Sequence, residues 1–165
     1  MELIKLDVGS GRAKLKDYIT LDKDPIVGAD ICVDFEGTYN QYIFQDFLDK
    51  YEGRVDEIRL HHILEHFKPE NKVRIMHLCH LLLNINGILD IEIPLFPHPA
   101  SVQDPTHISF WTSESFKYFI KDDPFGEAFS KRYSKYKVPL FEKVEEWYKG
   151  DNKPYWAYGI KLKKI

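Results

Sequence analysis

Residues 6–11 read Leu6-Asp7-Val8-Gly9-Ser10-Gly11, a short apolar run that meets an acidic residue and then a Gly-x-Gly turn. Glycine has no Cβ and can adopt positive φ, so it suits a loop whose backbone must approach a ligand closely. Two further apolar runs also end at carboxylates, residues 18–21 at Asp22 and residues 29–33 at Asp34. Such runs predict strands of an open α/β sheet, where ligands bind at the carboxyl ends of the strands.

The rest of the chain continues this alternation of strands and helices. Apolar spacings of three and four predict helices over 38–51 and 70–84, and apolar runs at 55–60 and 88–93 predict two more strands. Only seven residues separate Gly11 from Ile19. A crossover helix needs roughly ten or more residues, so the first helix is expected to be shortened or absent.

The C-terminal third predicts a long loop followed by a hairpin. Residues 96–112 contain three prolines and two histidines, which is typical of a functional or lid-like loop. A helix is expected to start at Thr112, and residues 137–148 and 155–165 are expected to pair as antiparallel strands.

Composition narrows the possible function classes. The chain has 165 residues, 44% hydrophobic and 30% charged, which predicts one ordinary globular domain. A net charge of −3 gives no bulk attraction to nucleic acid, and no apolar run is long enough to span a membrane. The N-terminal residues leave no room for a signal peptide, so a cytoplasmic location is expected. Cys32 and Cys79 lie in apolar runs and are expected to be small buried hydrophobes.

The carboxylates at the predicted strand ends suit a ribose better than a phosphate. An ionised carboxylate only accepts hydrogen bonds, and at the end of a second strand it can accept both hydroxyls of a ribose diol. The dinucleotide fingerprint G-x-G-x-x-G is absent, because Lys14 stands where the third glycine belongs. The alternative is that Asp22 and Asp34 only cap their own loops.

Taken in order, these motifs resemble the small class I S-adenosylmethionine-dependent methyltransferases of the methyltransferase type 11-like group, over about residues 3–120. The resemblance implies a Rossmann-like sheet, mostly parallel, with an antiparallel C-terminal hairpin. It also implies one methyltransferase-like domain over 1–165, with a cofactor-binding half at 1–94 and a substrate-side loop, helix and hairpin at 95–165. The runs that carry it are Asp7-Val8-Gly9-Ser10-Gly11, Tyr18-Ile19-Thr20-Leu21-Asp22, Ala29-Asp30-Ile31-Cys32-Val33-Asp34, His62-Ile63-Leu64-Glu65-His66-Phe67 and Leu83-Asn84-Ile85-Asn86-Gly87-Ile88-Leu89-Asp90.

The resemblance assigns the cofactor, S-adenosyl-L-methionine, to particular residues. It places Gly9 and Gly11 under the methionine part and Asp7 near the ammonium group. It places Asp22 on the ribose hydroxyls and Asp34 beside the adenine amino group. The remaining contacts that it implies are Phe35 or Val33 against the adenine ring, and Leu60 and His61 around the sulfonium and the substrate entrance. The chain departs from the family at Ala13, where a glycine is common.

His107 and His62 are the candidate catalytic residues. The run Asp104-Pro105-Thr106-His107 resembles a segment of the same family, and an imidazole can take a proton from a hydroxyl or amine. The alternative is that His107 only hydrogen-bonds its loop into shape. Methyl transfer from a sulfonium depends mainly on proximity and in-line geometry, so no metal is required and a base is optional.

A second interpretation comes from His62-Ile63-Leu64-Glu65-His66, which also spells H-x-x-E-H. On a helix, His62 and His66 would hold zinc and Glu65 would activate water, as in a zinc hydrolase.

The sequence thus predicts methyl transfer to a hydroxyl or amine of a small molecule or glycan precursor. The glycan preference follows only from association with similar small proteins of polysaccharide pathways. A non-catalytic cofactor-binding or interaction module on the same fold is the main alternative. A homodimer stays open, and neither a membrane nor a nucleic-acid partner is expected.

Overall fold

The computed structural model describes residues 3–37, 42–134 and 138–165. These residues form one seven-stranded sheet with the order β3-β2-β1-β4-β5-β7-β6. Strands β1 to β5 are parallel to one another, and β7 is antiparallel to both β5 and β6. The strands are β1 Lys5–Val8, β2 Ile19–Asp22, β3 Ile31–Cys32, β4 Val55–His61, β5 Leu83–Pro94, β6 Phe141–Lys149 and β7 Ala157–Lys164. The expected mostly parallel sheet with an antiparallel C-terminal hairpin is confirmed.

Four α-helices accompany this sheet in the described ranges: α1 Tyr42–Tyr51, α2 Lys72–Leu82, α3 Ser113–Phe116 and α4 Pro124–Arg132. The first residues of the helix predicted over 38–51 lie outside the described residues. Helix α3 starts where expected, because Thr112 and Ser115 form a capping box. Helix α4 begins with a proline after Asp123, whose side chain accepts a hydrogen bond from the backbone amide of Phe125.

The sheet has one apolar face and one polar face. Alternate strand residues such as Leu6, Ile58 and Ile91 are fully buried, and they belong to the same cluster as the buried side chains of α1 and α2. The intervening residues are polar, and several pair across strands, as in Lys5 with Glu57 at 2.9 Å. No α-helix connects β1 to β2 or β2 to β3, so these crossovers leave the polar face without a helical layer. The expectation about the first helix is confirmed.

Strand β5 begins earlier than the sequence indicated. The second helix was expected to reach residue 84, and the next strand was expected to start at residue 88. Instead α2 ends at Leu82, and Leu83 is already extended with ψ 141°. Asn86 adopts φ +69° inside the strand, and the pairing of β4 with β5 shifts register between Val55 and Glu57. The Asn-Gly pair therefore marks an irregularity within the strand rather than the end of a helix.

The two cysteines differ in exposure. Cys79 is buried in α2, as expected, whereas Cys32 is exposed and the prediction for it was wrong. Cys32 lies in the two-residue edge strand β3, which has a neighbour on one side only. Within the described residues, none of the helices combines the length and apolar character that crossing a membrane requires.

Candidate functional site

A cleft of about 460 Å³ opens at the carboxyl ends of β1, β2, β3 and β4. This size is within the range of small-molecule and cofactor sites, on the order of 300–1,000 Å³. Its walls come from the turns that follow these strands and from the loop after β5. The residues that line it are Val8, Gly9, Leu21, Asp22, Lys23, Val33, Asp34, Phe35, His62, Ile63, His66, Phe67 and Thr106.

The floor of the cleft depends on glycine at position 9. Gly9 adopts φ +69°, and a Cβ there would lie 2.4 Å from the side chain of Ile63. Its amide donates to the carbonyl of Leu21 at 2.8 Å, which ties the turn after β1 to the end of β2. Gly11 also has positive φ, +55°, but open space surrounds the position of its Cβ.

Asp22 and Asp34 line the same cleft and also cap their own loops. Asp22 accepts a hydrogen bond from the amide of Gly11 at 2.9 Å and another from the amide of Asp24 at 2.9 Å. Asp34 accepts one from the amide of Glu36 at 2.9 Å. A carboxylate offers about four lone-pair sites, so each retains acceptor capacity toward a ligand. Capping and ligand binding are therefore compatible at both positions.

The wall beside Asp34 is apolar. Val33 and Phe35 are 6% and 3% exposed and both line the cleft. Phe35 packs edge-on against Phe47 of α1, with ring centroids 6.0 Å apart. This contact fixes the ring so that a flat ligand group can pack against it.

Three residues that the resemblance assigned to the cofactor lie elsewhere. Strand β4 runs one residue further than expected and ends at His61. Leu60 is fully buried in the core, and His61 lies on the polar face. The His61 ring bonds Arg59 through Nδ1 at 2.9 Å and Asp90 through Nε2 at 3.0 Å. Asp7 is 2% exposed, and its Oδ1 accepts a hydrogen bond from Arg59 at 2.9 Å. The walls of the cleft do not include Asp7, Leu60 or His61.

His62 and Ile63 take the place at the cleft that was assigned to Leu60 and His61. His62 adopts φ +54° and turns the chain after β4, which brings Ile63 over Gly9. The prediction missed Ile63 because the sequence has no distinct signal for where β4 ends and this turn begins.

His62 lies among carboxylates. Its Nε2 is 3.0 Å from Glu92 and its Nδ1 is 3.7 Å from Glu65, while its ring stacks 6.0 Å from Trp156. The carboxylate of Glu65 raises the pKa of His62, and Glu92 adds to this against the opposing effect of burial. Burial alone would raise the pKa of Glu92, but its hydrogen bond from Lys149 and the positive charge of its histidine neighbours hold that pKa below its usual value.

The loop after β5 brings His107 close to Glu65. The amides of Ile108 and Ser109 donate to the backbone carbonyl of Glu65 at 2.9 and 3.0 Å. Nε2 of His107 then lies 3.9 Å from Glu65, and its ring is 4.9 Å from that of His66. His107 does not line the cleft, but its neighbour Thr106 does.

The zinc-hydrolase interpretation required a helix that is not formed. His62 lies in the turn that precedes a 3-10 turn at Leu64–His66, so H-x-x-E-H does not present its histidines from one helical face. The structure instead groups Glu65 and His66 with His107, with one potential ligand atom from each within 4.8 Å of the others. The prediction of helix-borne ligands was wrong. The pairing of residue 65 with residue 107 lies beyond what local spacing can show.

Comparisons with known proteins agree on the fold. Neither protein-family models nor curated protein sequences give a match. Among solved structures, the chain is similar to a SAM-dependent methyltransferase from Archaeoglobus fulgidus, with TM-score 0.66, 16% identity and coverage of 98% of this chain and 86% of that one. It is also similar to 1,6-didemethyltoxoflavin-N1-methyltransferase from Burkholderia thailandensis, solved with 1,6-didemethyltoxoflavin and S-adenosylhomocysteine bound. That match has TM-score 0.60, 14% identity and coverage of 98% and 71%.

A third similar structure is the cyclase SpnF, with TM-score 0.61, 10% identity and coverage of 98% of this chain and 75% of that one. Structural likeness at identities this low shows the fold alone. The reaction has to be inferred from the residues of the site. The strand order, the antiparallel last strand and these likenesses together show that the chain has the Rossmann-like fold of the class I SAM-dependent methyltransferases.

Proposed function

We propose that this protein binds S-adenosyl-L-methionine and transfers its methyl group to a hydroxyl or amine of a small molecule or glycan precursor. The observation that carries the proposal is the cleft at the carboxyl ends of β1, β2, β3 and β4. It combines a close-approach glycine, Gly9, with carboxylates at two successive strand ends, Asp22 and Asp34. In open α/β sheets, this is where nucleotide ligands bind.

In this proposal, residues 1–94 bind the cofactor and residues 95–165 supply the acceptor side. Asp22 accepts the ribose hydroxyls, and Asp34 and Phe35 hold the adenine. The Gly9 turn leaves room for the methionine part. When bound, the cofactor supplies an electrophilic methyl group on a sulfonium.

The acceptor is proposed to enter beside His62 and Thr106, which also line the cleft. The acceptor oxygen or nitrogen forms the new bond to the methyl carbon, and the sulfur leaves with the electron pair of the broken bond as a thioether. The acceptor's proton passes to an imidazole. His62 reaches the cleft directly, whereas His107 reaches it only through the neighbourhood of Glu65. Trp156, stacked on His62 and 38% exposed, offers a flat apolar surface to a ring-shaped acceptor.

The first experiment is calorimetric titration of the purified protein with S-adenosylhomocysteine. We expect one site per chain with an affinity in the micromolar range. The protein is then incubated with S-adenosyl-L-methionine labelled in its methyl group and with panels of hydroxyl and amine acceptors. Absence of S-adenosylhomocysteine binding would contradict the cofactor assignment.

A non-catalytic binding module is the second candidate. It is favoured by Ala13 in place of the family glycine and by the missing helix between β1 and β2. The similar fold of a cyclase also shows that this architecture serves proteins named for other reactions. This candidate predicts cofactor binding without methylation of any acceptor, and the labelled-methyl assay separates it from the enzyme.

A further inference from the structure

We propose that Glu65, His66 and His107 form a binding site for a divalent transition-metal ion of the zinc class beside the cleft. The three residues come from two separate segments, the turn after β4 and the loop after β5. One potential ligand atom from each lies within 4.8 Å of the other two. Two imidazoles and one carboxylate are a ligand set that zinc uses in catalytic sites.

The Glu65 carboxylate is buried without a hydrogen-bond donor. The residue is 2% exposed, and neither of its side-chain oxygens has a hydrogen-bond partner among the described residues. The imidazole nitrogens of His62 and His107 lie 3.7 and 3.9 Å from its Oε1, both beyond hydrogen-bond distance. A buried carboxylate is costly unless it is paired or coordinates a metal. Glu65 therefore lacks the partner that a cation would supply.

Both histidines are oriented by carbonyl groups, as metal ligands commonly are. Nδ1 of His66 lies 3.2 Å from the carbonyl of Thr106, and Nδ1 of His107 lies 3.2 Å from the carbonyl of Ser101. A carbonyl can only accept, so Nδ1 carries the hydrogen in each ring. Each Nε2 then has a free lone pair when the ring is neutral. A hydrogen bond at one ring nitrogen that fixes the other for a metal is the usual outer-shell arrangement.

To close around an ion, the three ligand atoms must come closer together than the 4.8 Å within which they now lie. Ligand atoms about 2.1 Å from a tetrahedral zinc are about 3.4 Å apart, whereas Nε2 of His107 and Oε1 of Glu65 are 3.9 Å apart. His66 is only partly buried and lines the cleft, so its side chain has room to move toward the other two ligands. Asp104, 3.9 Å from Nε2 of His107, adds negative charge on the other side.

Three protein ligands leave at least one coordination position open, as in catalytic zinc sites. Since His66 and Thr106 line the cleft, the ion would lie beside the place proposed for the acceptor. A bound ion would there hold an oxygen or nitrogen of the acceptor and lower its pKa. If His107 binds the ion, His62 is the histidine that takes the proton from the methyl acceptor. The site itself depends on the metal ligands and not on the proposed methyl transfer.

The test is titration of the chelator-treated protein with Co²⁺, followed by visible absorption, and with Zn²⁺, followed by calorimetry. We expect one ion per chain and ligand-field bands that disappear when Zn²⁺ displaces Co²⁺. Glu65→Gln, His66→Gln and His107→Gln should each weaken Zn²⁺ binding at least tenfold. His98→Asn is the matched control, because it removes a histidine of the same loop and keeps an acceptor for the amide of Ala100.

Thermal unfolding of each metal-free variant checks that it folds. Glu65→Gln is nearly isosteric and removes a buried charge, so its unfolding temperature should not fall below that of the metal-free wild type. His66→Gln changes a partly exposed ring and serves as the second folded variant. Absence of a saturable site, or affinity unchanged in both Glu65→Gln and His66→Gln, overturns the proposal. So does an equal loss of affinity in His98→Asn. None of these results depends on S-adenosyl-L-methionine binding.

Discussion

Single residues decide the affinity of the cleft, and Asp22 is the first of them to test. Asp22→Ala should weaken S-adenosylhomocysteine binding by about 1–3 kcal/mol, because it removes charge-assisted hydrogen bonds to the ribose. It also frees the amide of Gly11, so a loop control is needed. Asp24→Ala removes a capping carboxylate two residues away that does not line the cleft. Calorimetry should show near-normal affinity in Asp24→Ala, and equal losses in the two variants would contradict the ribose assignment.

Gly9 and Gly11 allow two costs of an added Cβ to be compared: backbone strain at positive φ, and a clash with a neighbouring side chain. Both have positive φ, so alanine at either position costs about 1–2 kcal/mol in backbone strain. Only at Gly9 does the new Cβ collide with Ile63, which should add about 1–3 kcal/mol of overpacking. Urea unfolding should therefore rank Gly9→Ala well below Gly11→Ala in stability. Equal stabilities would mean that Ile63 moves aside without cost.

At this scale the sequence predicted the residues that follow directly from strand ends. Gly9, Asp22 and Asp34 line the cleft. They could be predicted because each lies just after an apolar run whose end is clear in the sequence. The prediction failed to bring Leu60 and His61 to the cleft because β4 continues through His61, so both residues belong to the strand and not to the turn that follows it. His107 and Glu65 meet through backbone hydrogen bonds between distant segments, which no local pattern encodes.

Among the elements, β5 shows why boundaries are harder to predict than the elements themselves. The apolar stripe of α2 continues into Leu83, so helical periodicity alone gives no end at Leu82. The end is set by pairing with β4, where Leu83 already opposes Val55. The alternation of apolar and charged residues within β4 and β5 could, however, be recognised in the sequence. Charged residues at 57, 59, 90 and 92 alternate with apolar ones, a pattern that indicates a sheet covered on one face.

Helix α2 also carries a group that should make stability depend on pH. Burial, together with the nearby positive charges of Lys164 and His77, lowers the pKa of His80 to about 4. Its ring packs edge-on against Phe141, with centroids 5.2 Å apart. Because the folded-state pKa is below the unfolded value near 6.5, the unfolded chain binds more protons between these two values, and stability falls as pH drops through this window.

The free energy of unfolding should therefore decrease by about 1–2 kcal/mol from His80 alone between pH 7 and pH 4.5, with allowance for solvent screening of a half-buried group. Urea unfolding at the two pH values measures the change. His80→Gln removes the titrating ring, so its stability should change less over the same interval. The same pH dependence in both proteins would assign it to other groups.

The whole molecule is a sheet with helices packed on its apolar face and charged side chains on the other. Parallel sheets are normally covered on both faces, and their strands are then apolar throughout. Here the crossovers around β2 are too short for helices, so the uncovered strands carry polar residues that pair with one another. Ion pairs across neighbouring strands include Asp7 with Arg59 and Lys161 with Glu145, at 2.9 and 2.7 Å. On this face, ion pairs take the place of apolar residues, which would need a covering layer of helices.

The pair of Asp7 and Arg59 is the part of this face on which stability should depend most. The Asp7 side chain is 2% exposed and that of Arg59 28%, so Arg59→Ala leaves a buried carboxylate without its cation. Removing one partner of a buried pair costs about 3–5 kcal/mol. The neighbouring pair of Lys5 and Glu57 is 28% and 21% exposed and serves as the control.

Lys5→Ala should cost less than about 1 kcal/mol, because solvent screens a partly exposed pair. The double variant Asp7→Ala and Arg59→Ala should be more stable than the sum of the two single losses predicts, since removal of the carboxylate removes the unpaired charge. Urea unfolding of the four proteins of the cycle measures this coupling. If Arg59→Ala costs no more than Lys5→Ala, water reaches Asp7 in the folded protein, and the polar face is a solvated surface whose pairs contribute little.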